Sequence, residues 1–279
     1  YGDHRDLHKE YRRQRQMCIR DRYNISSNYD VSSTSINCFL SLSTSFCSSF
    51  SQNRYKMTTI LQISDTHIVA KGPLVSNVLD TASTLEKLII RINQLQDKHN
   101  DIEGILVSGD ISDDGSPASY QRFKSIMASI ELPTYVIPGN HDNRENMREA
   151  FQSDKIFTKT GPLNWHKKIG NINIIGLDTL IEGKGEGYLG PKSLEYLKET
   201  LKNLHSQPTI LALHHPPFET GIKFMDNIGL KNKDEFKDII SNFNGELRVV
   251  CGHIHCMMVA SLNNHVVISS PSPSSNFEY

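Results

Sequence analysis

Five short apolar runs each stop at a cluster of polar side chains, and this arrangement constrains the chain more than any other feature of its sequence. "TTILQIS" (58–64) is followed by Asp65 and His67, and "IEGILVS" (102–108) by Asp110. "PTYVIP" leads into Asn140, His141 and Asp142. "TILAL" (209–213) ends on His214 and His215, and "LRVV" on His253 and His255. Short β-rich runs bounded by Gly, Pro and Asp read as strands. Between them lie stretches of helical period. Leu85, Leu88, Ile89, Ile92 and Leu95 form one helical face. Ser116-Pro117 reads as an N-cap followed by proline at the first helical position, opening a helix toward Ala128. A short helix is expected over "NRENMREAF", and others over Pro191 to Leu204 and Asp234 to Phe243; "NINIIGLDTL" (171–180) and "HVVISS" add strands. Strands alternating with helices predict a layered α/β fold, with room for antiparallel strands late in the chain.

In α/β sheets, ligands gather beyond the carboxyl ends of the strands. Five strand ends from five stretches can therefore meet at one place. The side chains they would bring are four histidines, two aspartates and an asparagine amide, with His141, Asp142 and His215 beside them. This mixed nitrogen and oxygen set without thiolate suits Mn, Fe or Zn and differs from a structural zinc site of four Cys or His. Seven ligands exceed what one open catalytic metal needs, whereas two metals sharing one carboxylate would use them all. Taken singly the motifs are weak: D-x-H often caps or faces solvent, and G-D is a common turn. Glycine before Asp110, Asn140 and His253 permits close backbone approach. His99, His166, His205 and His265 lack such company and read as ordinary core or surface histidines. Cys251 and Cys256 bracket "GHIH" but read as a small buried residue and a loop residue.

Composition excludes several classes. No apolar run reaches the ~18 residues of a membrane helix, so no membrane partner is expected. The net charge of −1 and the absence of a basic run give no nucleic-acid track. Five scattered cysteines do not make a disulfide framework, which points to a reducing, cytoplasmic compartment. Charge divides unevenly: residues 1–56 hold nine Lys/Arg and five Asp/Glu, residues 57–279 hold 21 and 26. From Tyr23 to Lys56, eleven of 34 residues are serine, and the segment reads as disordered or read-through sequence. "RRQRQMCIRDR" and "YGDHRDLH" match, in frame and in order, the translation of short-read library adaptors. Residues 1–22 are therefore read as translated sequencing adaptor, with the native start expected at Met57.

The ordered set D-x-H, G-D, G-N-H-D, H and G-H-x-H resembles the calcineurin-like metallophosphoesterase family. "ISDTH", "LALHHPP" and "CGHIH" are most similar to its class III 3′,5′-cyclic-nucleotide phosphodiesterases. The resemblance implies a four-layer α/β/β/α sandwich of two mixed sheets spanning residues 57–279. It implies one metal on Asp65, His67, Asp110 and His255, and a second on Asp110, Asn140, His214 and His253, with Asp110 shared. His215 would stand behind the ligands, His141 would act on the leaving oxygen, and Asp142 would orient His141. The implied reaction is phosphodiester hydrolysis of a small molecule by a metal-bridging hydroxide. Alternatives within the fold are a phosphoesterase for glycerophosphodiesters, nucleotides or phosphoproteins, and a non-catalytic protein-binding scaffold; the complete ligand set argues against the last. Family members continue past the "PS" region with further strands, so a chain shortened at its C-terminus is expected.

Overall fold

The computed structural model describes the backbone of Ser41–Leu42 and residues 57–276, all within one compact unit. The readings for residues 1–22, and for 23–56 apart from Ser41–Leu42, lie outside the described residues.

The first sheet has the order β1(Ser41–Leu42), β2(Thr59–Ile63), β3(Ile102–Val107), β4(Thr134–Val136). The last three are parallel, and β1 runs antiparallel along the β2 edge, pairing with Leu61 and Ile60. The sequence reading places no element there. An open strand edge is a row of unpaired backbone donors and acceptors that accepts any extended segment, whatever its side chains.

The second sheet comprises β5(Trp165–Ile169), β6(Ile172–Gly176), β7(Thr209–Ala212), β8(Leu247–Cys251), β9(Val259–Leu262) and β10(His265–Ser269), in the order β5-β6-β7-β8-β10-β9. Its four inner strands are parallel, and β5 and β9 are antiparallel at the two edges. Both edge strands escape the sequence reading. Only alternate side chains of "WHKKI" and "VASL" meet a core, so neither segment forms an apolar run.

Period-two alternation of the inner strands explains the layering. Ile172, Ile174, Ile210, Ala212 and Val250 enter a core shared with the first sheet. That core is completed by helices α1(Thr81–Gln96) and α2(Pro117–Met127). Ile175, Leu211, Leu213, Val249 and Cys251 point the other way. They meet Leu197, Leu201, Phe236 and Ile240 of the helices over Pro191–Leu204 and Lys233–Ser241. The result is helix, sheet, sheet, helix: the four-layer α/β/β/α sandwich. Helix starts follow their caps, with Asp80 accepting from Ser83 N at 3.0 Å and Ser116 accepting from Ser119 N at 3.3 Å. No helix among the described residues is long and apolar enough to cross a membrane.

Candidate metal centre

Because β2, β3 and β4 are parallel in one sheet and β7 and β8 are parallel in the other, their carboxyl ends deliver the five motif loops. The loops are stitched together by backbone: Asp65 N donates to Gly109 O (3.0 Å), His67 N to Asp110 O (2.9 Å) and Gly252 N to His214 O (3.0 Å). Asp65, His67, Asp110, His253 and His255 all adopt left-handed backbone, with φ of 55°, 45°, 48°, 71° and 52°. Each such residue costs on the order of 1–3 kcal/mol and persists only where its surroundings dictate it. A Cβ on Gly139 would overlap the backbone and carboxylate of Asp110, and one on Gly252 would collide with Ser64 and Asp65. At both places only glycine lets one loop approach another.

The side chains brought together are buried, except that of the half-buried Asn140. Asp110 Oδ2 lies 3.4 Å from His214 Nε2 and 3.6 Å from His67 Nε2. Asp65 Oδ1 lies 3.3 Å from His255 Nε2, and the Nε2 atoms of His67 and His255 face each other at 3.2 Å. Asn140 Oδ1 is 3.1 Å from His214 Nε2 and 2.9 Å from His253 Nδ1. Two groups that share Asp110, Asp65–His67–Asp110–His255 and Asp110–His214–His253, each keep their ligand atoms within 4.8 Å of one another, and a third, His67–Asp113–His141, meets the same criterion beside them. Atoms about 2.1 Å from a common cation sit roughly 3–3.5 Å apart, which is the spacing of these donors. His253 Nε2 is also buried without a hydrogen-bond partner, a polar atom that packing alone does not explain.

Protonation states fit the same reading. Burial raises the cost of charge on Asp110, but His214, His141 and His67 outweigh it and hold the carboxyl well below its ordinary range. Asp65 is likewise lowered against its burial by His255 and His214. Burial lowers both His67 and His253 from the ordinary imidazole range, which favours the neutral form a metal ligand requires. His214 goes the other way. Burial opposes its charge, but Asp110, Asp65 and the Ser108 carbonyl push it up to about 9, because the paired carboxylates recruit positive charge onto the nearest imidazole.

Hydrogen bonds distinguish the two adjacent histidines. His214 Nδ1 donates to Ser108 O at 2.8 Å, which turns Nε2 toward Asp110. His215 uses Nδ1 on Thr179 Oγ1 (2.8 Å) and Nε2 on Gly185 O (3.1 Å), and its ring packs on His253 at 4.6 Å. Burial and the charge on His214 lower His215 to about 3.

Asp142 differs from expectation. Its carboxylate accepts from Gly139 N (2.8 Å), Ile111 N (3.2 Å), Ser112 N (3.1 Å) and Tyr120 Oη (3.0 Å), so it ties the third motif loop to the second. Asp113 holds the His141 ring. Its carbonyl lies 3.0 Å from His141 Nδ1, and its carboxylate lies 3.5 Å from the same atom and 3.2 Å from His67 Nδ1. Asp142 turns inward because four donors meet it there.

The sequence matches the calcineurin-like phosphoesterase family over residues 58–257. The chain belongs to the calcineurin-like phosphoesterase family. Among curated relatives, the "Probable glycerophosphodiester phosphodiesterase GpdQ" of Arcobacter nitrofigilis is 35% identical over 216 residues, covering 77% of this chain and 78% of that protein. The 3′,5′-cyclic adenosine monophosphate phosphodiesterase CpdA of Vibrio vulnificus is 33% identical over 231 residues, covering 82% and 80%. A dimetal phosphatase from Danio rerio has the same fold, with a TM-score of 0.58 at 12% identity over 77% of this chain and 88% of that one.

Within this family fold, a sixth strand end plays a structural part. β6 leads into Asp178 and Thr179; Asp178 is clamped by Arg144 (2.7 and 3.1 Å), and Thr179 holds His215. Asp113 and Ser275 support the centre without having been singled out in the sequence. For Asp113 the signal was its place in "GDISDDG", three residues after Asp110; for Ser275 none was visible. His99, His166, His205 and His265 belong to none of the three groups. Of the apolar residues after "HHPP", Met225 is buried and Phe218 packs on the outer core, which leaves Phe224 exposed.

Proposed function

We propose that this calcineurin-like phosphoesterase hydrolyses small phosphodiesters at a pair of metal ions, with 3′,5′-cyclic nucleotides as its substrates. The observation that carries the reading is the convergence of two carboxylates, four imidazoles and an asparagine amide at Asp110, with His253 joining through Nδ1 beside Asn140 Oδ1. We assign Asp65, His67, Asp110 and His255 to one metal and Asp110, Asn140, His214 and His253 to the other. The nitrogen and oxygen donors accord with Mn, Fe or Zn. Bound there, a pair of cations supplies Lewis acidity, acidifying water and offsetting charge on the phosphate oxygens.

The chain's own residues supply the rest. Asp110 neutralises charge between the two donor groups. His141, whose side chain is 15% exposed and braced by Asp113, protonates the departing alkoxide. Asp142 keeps the His141 loop against Ile111 and Ser112 and does no chemistry itself. The relatives named CpdA support a cyclic-nucleotide substrate, and the cysteine usage supports a cytoplasmic setting.

A second reading has its own support, since the GpdQ-named relative is the more similar of the two quoted. The experiment is kcat/KM with Mn²⁺ for cyclic AMP, glycerophosphoethanolamine, a nitrophenyl diester and a nitrophenyl monoester. Turnover of cyclic AMP above the glycerophosphodiester is expected. Glycerophosphodiester turnover without cyclic AMP turnover would establish the second reading, and strong monoester preference would reject both.

His214→Ala and His215→Ala separate the ligand from its neighbour. The first is expected to lose one equivalent of Mn²⁺. The second should keep both ions and lose about 10–100-fold in activity through the displaced His253 ring. A metal-poor His215→Ala protein with a metal-replete His214→Ala protein would reverse the assignment.

A further inference from the structure

We infer that Ser275 is a positioning residue of the metal centre, holding His255 in the tautomer that presents Nε2 to Asp65. The inference rests on the metal-centre reading above. Ser275 Oγ lies 2.8 Å from His255 Nδ1, on the side of the ring opposite the contacts of Nε2 with Asp65 Oδ1 (3.3 Å) and His67 Nε2 (3.2 Å). A neutral imidazole carries one N–H and one lone pair. With Nδ1–H donated to the serine hydroxyl, the lone pair stands at Nε2, among the other donors.

The serine is placed by a built segment. After β10 the chain returns across two of the motif loops and is pinned to each. Ser270 N donates to Cys251 O (2.9 Å), Ser272 N to His255 O (3.3 Å) and Ser272 Oγ to Asp65 O (2.8 Å). Ser274 N then donates back to Ser272 Oγ at 3.2 Å. Pro271 and Pro273 each fix a φ angle, so the segment has few alternative paths to Ser275. Asp65 and His255 are both left-handed, with φ of 55° and 52°, and such backbone needs external support. The same strap that supports the backbone of these two residues ends on the ring of one of them. His214 receives the equivalent hold from Ser108 O and His67 from Asp113 Oδ1 (3.2 Å), so three of the four histidines here rest on a partner at Nδ1, while His253 turns Nδ1 to Asn140 Oδ1. For His255 that partner is a hydroxyl more than one hundred and fifty residues away in sequence from the other two.

The test uses the full chain stripped of metal and titrated with Mn²⁺, reading free Mn²⁺ by its paramagnetic resonance signal. Wild type is expected to take up two ions. Ser275→Ala is expected to weaken one of them by about 10-fold or more and the other by less than about twofold. Ser275→Thr, which keeps the hydroxyl, should restore affinity to within about threefold of wild type. In turnover the alanine variant should lose kcat with little change in KM. Ser275→Cys, similar in size but a poor acceptor, should behave as alanine does and stands in if alanine destabilises the chain. Melting of the metal-free proteins separates a merely structural role: lowered melting with both Mn²⁺ affinities unchanged would overturn the inference. So would threonine failing to rescue a weakened site. Two ions in wild type with the same two affinities in Ser275→Ala would overturn this inference alone. A wild type that takes up no pair of ions would overturn the metal-centre reading and this inference with it.

Discussion

Asp110→Asn is expected to lower kcat/KM for every phosphodiester by about 10³-fold or more, close to 4 kcal/mol of transition-state stabilisation. Asp110 is 1% exposed, and its two oxygens are committed in different directions. Oδ2 lies within 3.4–3.6 Å of His214 and His67, and Oδ1 accepts from His141 N at 2.9 Å. Asparagine keeps the shape, and its Oδ1 can keep the bond to His141 N, so the loop should hold its place. The negative charge between the two donor groups is lost, and with its oxygen kept on His141 N the amide turns an NH₂ group toward His214 and His67 in place of Oδ2. The variant should therefore bind fewer than two Mn²⁺ per chain while folding normally. Metal content and melting temperature measured together decide the matter. Near-native turnover with both ions bound would sink the shared-carboxylate assignment.

His141→Ala is expected to cost about 10²–10⁴-fold for cyclic AMP and far less for a nitrophenyl diester. A ribose alkoxide is a poor leaving group that needs a proton as it departs, whereas nitrophenolate leaves without one. The ring is placed for this by Asp113, through its carbonyl at 3.0 Å and its carboxylate at 3.5 Å from Nδ1. The two substrates share one site, so a lost metal or a distorted loop would slow both alike. A difference in their losses reports proton transfer. Equal losses would show that His141 binds or positions the phosphate and does not serve as the acid.

Much of this was legible from residue order alone. A strand with both faces buried must be apolar along its length, and a metal ligand must be polar. The junction of the two, repeated five times from "ISDTH" to "CGHIH", is therefore visible without coordinates. The helix caps at Asp80 and Ser116 act within three residues, and capping at Ser116 and Pro117 could be read from the sequence for that reason. The edge strands β5 and β9 could not, because one-sided burial leaves neither segment a continuous apolar run.

What the tertiary structure decided lies across longer distances. Whether Asp113 or Asp142 braces His141 depends on where Tyr120 and the amides of Ile111, Ser112 and Gly139 stand, and those four donors draw Asp142 inward. Of the adjacent histidines, His214 faces Asp110 because Ser108 O, 106 residues earlier, takes its other nitrogen, while Thr179 and Gly185 take both nitrogens of His215. The left-handed backbone at five of the candidate ligands has no signature in the sequence, since Asp and His enter that region more readily than most residues but still seldom. Sequence order determined which residues reach the strand ends, because burial and turn chemistry are local demands. Hydrogen bonds between loops distant in the chain decided which way each side chain turns, because donors and acceptors become neighbours only when the two sheets pack.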